Sequence, residues 1–165
     1  MIGAIAPSPR VCDFGCDAEF EWSRTMNAIA WGAILAGLGV AAGAFGAHGL
    51  EGRVEPSLLE VFETGARYQI IHALALTLIG LARPPRTGSG SGPFSGQIRS
   101  SGGKEWLDRA AWSFVIGIVL FSGSLYLMTL TGQRWLGAVT PLGGLGFLTG
   151  WTCFAIAGLR GRNRG

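Results

Sequence analysis

"MNAIAWGAILAGLGVAAGAFGA", residues 26–47, carries no charged side chain over its whole length. A helix that crosses a bilayer needs about 20 mainly apolar residues, and this stretch supplies them. Working outward, three more segments have the same character. They are "ARYQIIHALALTLIGLA" (66–82), "AAWSFVIGIVLFSGSLYLMTL" (110–130) and "TPLGGLGFLTGWTCFAIAGL" (140–159). The second is short, but it can borrow the turn before it. In the fourth, Thr140 is placed to cap the first turn and Pro141 to take the first helical position, where its missing N–H is not needed. Four spans in succession predict an all-α membrane protein, an up-down bundle of four transmembrane helices over 26–159.

Composition agrees. Of the 165 residues, 48% are hydrophobic and only 14% charged, well below the charged quarter of a soluble domain. The 28 glycines suit membrane helices, where glycine is commoner. A net charge of +3 with no basic, aromatic-interleaved stripe gives no reason to expect a nucleic-acid partner. Instead the cations gather at span ends. Arg10, Arg24, Arg83, Arg86, Arg99, Lys104, Arg109, Arg160, Arg162 and Arg164 share one side, against Arg53, Arg67 and Arg134 on the other. The positive-inside rule then predicts both termini in the cytoplasm and an inner-membrane, multi-pass protein.

Outside the spans, residues 1–25 read as a flexible tail, and 160–165 as a basic C-terminal tail. "MIGAIAPSP" lacks a basic n-region and a long apolar core, so it does not read as a signal peptide. Met26 stands immediately before the first span and is a candidate start, which would make 1–25 an over-extended reading. Cys12 and Cys16 lack further ligands nearby, so no metal is expected there. The Pro-, Gly- and Ser-rich stretch 84–104 reads as a flexible cytoplasmic loop. In the first connection, "EPSLLEVFETG" starts a helix at Pro56, with Glu63 and Arg67 spaced for an i, i+4 pair. Run straight into span two, it would overshoot the hydrocarbon by about 10 Å. A bend near Gly65, laying this segment on the surface, is the preferred expectation.

Small residues predict the packing. Lipid is as apolar as leucine, so close backbone approach and interhelical hydrogen bonds hold such helices together. Gly39 and Gly43 in span one, and Gly146 and Gly150 in span four, form G-x-x-x-G pairs. They are expected inside the bundle, with a homodimer face as the competing reading.

Polar residues inside a membrane usually face the bundle interior. Thr64, Tyr68 and His72 repeat every four residues, with Gln69 alongside. Ser122, Tyr126 and Thr129 form a similar set. With His48 at the end of span one, these groups predict a polar cluster of His48, Tyr68, His72 and Tyr126 in the outer half of the bilayer. His48 reads first as a cap and packing residue, meeting free carbonyls and the negative end of a helix dipole, with Gly49 as the left-handed cap. A proton or metal role is the rival. Two histidines without H-x-x-x-H spacing signal zinc only weakly, and a Ser124–His72 dyad lacks the strained nucleophile motif. No catalytic residue, metal or cofactor is expected.

The blocks "GAFGAHGL", "FETGARYQIIHALAL", "LFSGSLYLMTLTG" and "TPLGGLGFLTGW", in that order, resemble the domain-of-unknown-function 423 family. Its members are small inner-membrane proteins of the YgdD type, with transmembrane protein 256 as the animal relative. The resemblance covers 26–159 and implies four membrane helices with no established activity. The tail 1–25 and the long 84–104 segment depart from that pattern. The function expected is non-enzymatic. The partners expected are the lipid bilayer and either a second copy or another membrane protein. The alternative is a minor transporter or channel using the His48/His72 region.

Overall fold

The computed structural model describes residues 16–83 and 101–162. Among the described residues there are four long helices: α1 (Cys16–Phe45), α2 (Pro56–Ala82), α3 (Ser101–Thr131) and α4 (Thr140–Arg162). Among the described residues there is no strand. A π-helical turn, Gly46–Leu50, extends α1, and a 3-10 turn, Arg134–Ala138, precedes α4. Each helix is long and apolar enough to cross a membrane.

Glycine contacts set the register. A Cβ on Gly39 would lie 2.7 Å from Ile70 Cγ1, and one on Gly80 would lie 2.5 Å from Ile29 Cγ1. On the other side of α2, a Cβ on Gly65 would lie 3.0 Å from Tyr126 Cε1. Between α3 and α4, a Cβ on Gly150 would meet Phe114 at 2.5 Å, and one on Gly117 would meet Phe147 at 2.5 Å. These pairings put residues near 26–46, 63–83, 104–124 and 140–160 side by side, about 30 Å at the helical rise. That is one hydrocarbon thickness.

The helices pack in chain order, α1 on α2, α2 on α3, and α3 on α4. The core belongs to the last three, with Ala73 and Ile79 of α2, Leu107 and Phe114 of α3, and Phe147 and Ala157 of α4 in one cluster. α1 is peripheral. Only 11% of its most apolar window is buried, against 50% for α2.

Several boundaries differ from expectation. α1 starts at Cys16, ten residues before Met26, so helix replaces the end of the irregular tail; residues 1–15 lie outside the described residues. α3 starts at Ser101, taking 101–104 from the expected loop, whose remainder, 84–100, also lies outside them. α4 runs on to Arg162, into the expected basic tail. Val139 O accepts the Gly143 N–H, which makes Thr140 the first helical residue and Pro141 the second. The Thr140 hydroxyl is 2.9 Å from that of Ser124, so it joins α4 to α3.

The expected bend at Gly65 is not found, because α2 is one helix from Pro56 to Ala82. Its first two turns project about 10 Å past the aligned slab, and α3 projects beside them. The Thr129 hydroxyl reaches Leu58 O at 2.9 Å, tying the two overhangs together. Gly65 is small because the Tyr126 ring lies against it, and bending is not its role.

Candidate functional site

Cα–Cβ bonds tilt toward a helix's N-terminus. In antiparallel neighbours, long side chains therefore lean toward each other and can meet between their own levels. Gln69 of α2 and Tyr126 of α3 do so. The Tyr126 hydroxyl donates to Gln69 Oε1 at 3.1 Å, and Gln69 Nε2 donates to the Leu35 carbonyl of α1 at 2.8 Å. One amide, only 6% exposed, thus joins three helices. Leu35 O is reachable because the residue one turn on is Gly39. A Cβ there would stand 3.4 Å from Gln69 Cγ.

Other hydroxyls of α3 extend this seam. Ser122 donates to Gly65 O at 2.8 Å, beside the Thr129–Leu58 bond. Phe62 seals the end of the seam. Its ring centroid is 4.6 Å from Tyr126 and 6.2 Å from Phe45.

His72 is buried in a different setting. Nδ1 lies 2.8 Å from Tyr68 O, which can only accept, so Nδ1 carries the proton. The ring stacks on Phe147 at 3.5 Å between centroids and 6° between planes, with Phe114 5.6 Å away. Tyr68 stacks on His72 at 5.9 Å and stays 41% exposed. His72 is an aromatic plug between α2, α3 and α4.

His48 is exposed, in the π turn past the end of α1. By the α1–α2 register it stands about 16 Å along the axis from His72. The sequence-predicted cluster therefore divides. Tyr126 belongs to the Gln69 seam, Tyr68 and His72 to the aromatic plug, and His48 to the bundle end. The tiny residues around His48 serve other rings. A Cβ on Gly49 would lie 2.7 Å from the Phe45 ring, and one on Gly46 would lie 3.1 Å from Phe62. The left-handed residue of this connection is Gly52, φ +70, and Gly49 is not left-handed.

The packing glycines occupy specific contacts. Gly39 faces α2, while Gly146 and Gly150 face α3. Gly43 has only an ordinary 3.9 Å approach to Ala66. Sequence reasoning missed Gly143, whose added Cβ would strike the backbone nitrogen of Phe121. It also set Gln69 beside the stripe instead of at its centre. The usable signal was a lone amide inside a span, which must find a partner.

Chemically, the arrangement binds helices together. Ser124 is engaged with Phe121 O and the Thr140 hydroxyl, and His72 Nδ1 with Tyr68 O. Among the described residues, no three His, Cys, Asp or Glu side chains come together as a metal site would require. The Glu63–Arg67 spacing gives no ion pair; Glu55 and Arg134 pair instead across the two connections, at 3.6 Å.

A family model described as protein of unknown function (DUF423) matches residues 42–144. The chain is 40% identical over 129 residues to UPF0382 membrane protein YwdK of Bacillus subtilis, covering 78% of this chain and 93% of that one. It is 42% identical over 129 residues to UPF0382 membrane protein SERP0230 of Staphylococcus epidermidis, covering 78% and 92%. No solved structure matches.

Proposed function

The chain belongs to the DUF423 family of membrane proteins of unknown function, and we propose that it works without catalysis, as a small subunit that packs with itself or within a larger membrane complex. The observation that carries this reading is the use made of the interior polar groups. Gln69, Ser122, Tyr126, Thr129 and the Ser124–Thr140 pair are all engaged in helix-to-helix bonds. Such groups hold a scaffold. A conduction path would instead line water with them. The His48/His72 transporter reading loses support from the axial separation of the two rings. α1 is the face offered to a partner, since it packs on one helix and exposes Trp31, Ile34, Leu38 and Phe45. Both termini are assigned to the cytoplasm from the ten-to-three distribution of cations.

The test is affinity capture of the tagged full chain from native membranes in mild detergent. A second copy or a defined membrane protein should accompany it in stoichiometric amount. Purification as a lone monomer that transports or turns over a solute would overturn the reading.

A further inference from the structure

At the end of the bundle where α1 starts and α4 ends, Trp106 of α3 has two guanidinium neighbours. Arg109 Cζ lies 4.9 Å from the indole centroid and Arg160 Cζ of α4 lies 5.1 Å from it. Trp106 is half-buried and rests against the core cluster, so the platform is fixed. Neither arginine has a carboxylate partner among the described residues. Asp108 is taken by Arg83, and Glu105, one turn before Arg109, forms no ion pair with it.

Two like charges gathered on one ring repel each other, and the indole only partly offsets that. An anion touching both would remove the repulsion. A guanidinium held over an aromatic ring keeps N–H donors that can grip phosphate oxygens as a fork. The register puts the Arg160 Cα at the end of the hydrocarbon slab and the Arg109 Cα about 7 Å inside it, from where its side chain, tilted toward the start of α3, reaches back to the Trp106 ring near that end. Leu159, beside Arg160, is 60% exposed, and Trp112, about one turn deeper than Arg109, is 66% exposed, offering apolar surface along the length of an acyl chain.

We propose that Trp106, Arg109 and Arg160 form a binding site for the phosphate of an anionic lipid headgroup in the adjoining leaflet. Lipid fits better than a soluble anion because charge and apolar contact stand at the correct heights together. The site is independent of any protein partner and of which side the termini occupy.

Native mass spectrometry of the full chain, released from detergent micelles, tests this. Dioleoylphosphatidylglycerol is the probe, dioleoylphosphatidylcholine the zwitterionic control and inorganic phosphate the soluble competitor. Wild type should retain phosphatidylglycerol over phosphatidylcholine, and each of Arg109→Gln and Arg160→Gln should weaken that preference about fivefold. Arg134→Gln, at the opposite end, should leave it unchanged. Equal retention of the two lipids by wild type overturns the proposal, and this arm needs no variant to fold. So does an unchanged preference in the double variant. Displacement of phosphatidylglycerol by inorganic phosphate would overturn it in favour of a soluble-anion site.

Discussion

Gln69 joins three helices through one buried amide. Replacing it by Leu removes two interhelical bonds and leaves the Tyr126 hydroxyl without its partner. An unpaired buried group costs about 1–3 kcal/mol, though membrane helices often find substitutes and give less. Gln69→Leu should therefore lower unfolding stability in detergent by about 2 kcal/mol and Tyr126→Phe by about 1. The double variant should cost less than the sum of the two, since they share a bond. Strict additivity would mean that the two side chains do not interact. At His72 a second comparison separates plug from titrating site. His72→Phe keeps an aromatic ring against Phe147 and should hold most of the stability. His72→Ala leaves a cavity and should lose about 3 kcal/mol. Thermal unfolding that ranks Phe as badly as Ala would show that the imidazole nitrogens matter more than the ring. Much of this was legible in sequence only as a stripe. Helical spacing places Tyr68 and His72 on one face, but it does not say which neighbour each meets. That depends on the tilt of side chains between antiparallel helices, which carried Tyr126 to Gln69, while His48 stays outside because it lies past the end of α1, about 16 Å along the axis from His72.

Among the elements, the helix pairs are specified by where a Cβ cannot go. The four spans could be read directly from apolar length. Which glycines matter could not, because G-x-x-x-G marks a small face without its partner. Gly43 satisfies the motif and has room, while Gly143 lies outside it and has none. The contacts predict a ranking for alanine substitutions. Gly143→Ala drives a methyl into rigid backbone and should cost about 2–3 kcal/mol, in the range of overpacked cores. Gly150→Ala meets the fully buried Phe114 ring and should cost nearly as much. Gly39→Ala meets Ile70 Cγ1, a side-chain atom that can give more than backbone although χ1 of a helical Ile is stiff, so about 1–2 kcal/mol is expected, and Gly43→Ala should be neutral. Chemical unfolding of the four variants in one detergent measures the order. Stability of Gly143→Ala equal to wild type would mean that α3 and α4 do not approach as described. The straight course of α2 has a similar cause. Its overshoot looked unsupported in sequence, because the matching overhang of α3 lies some seventy residues away. Thr129, donating to Leu58 O, ties the projecting turn of α2 to α3.

At the scale of the whole molecule, the helix register and the charge distribution give separate information. The register groups the start of α1, the end of α2, the start of α3 and the end of α4 at one end, but it does not say which compartment that end faces. Charge carries the proposed orientation, through the preference of Lys and Arg flanking a span for the cytoplasmic side. Ten cations against three is a wide margin, and dropping Arg10 and Arg24 with the tail still leaves eight against three. The prediction is made on the full chain with Cys12, Cys16 and Cys153 replaced by Ser, so that each introduced thiol is unique. Arg53→Cys and Arg134→Cys sit in the two short connections, both exposed, and should react in intact cells with a membrane-impermeant maleimide. Asn163→Cys, next to the end of α4, should react only after the membrane is permeabilised. The opposite pattern would place the termini outside and overturn the charge argument. Labelling of all three positions in intact cells would show a mixed topology. That result would be possible only if the margin of cations had been outweighed by the long, uncharged first span.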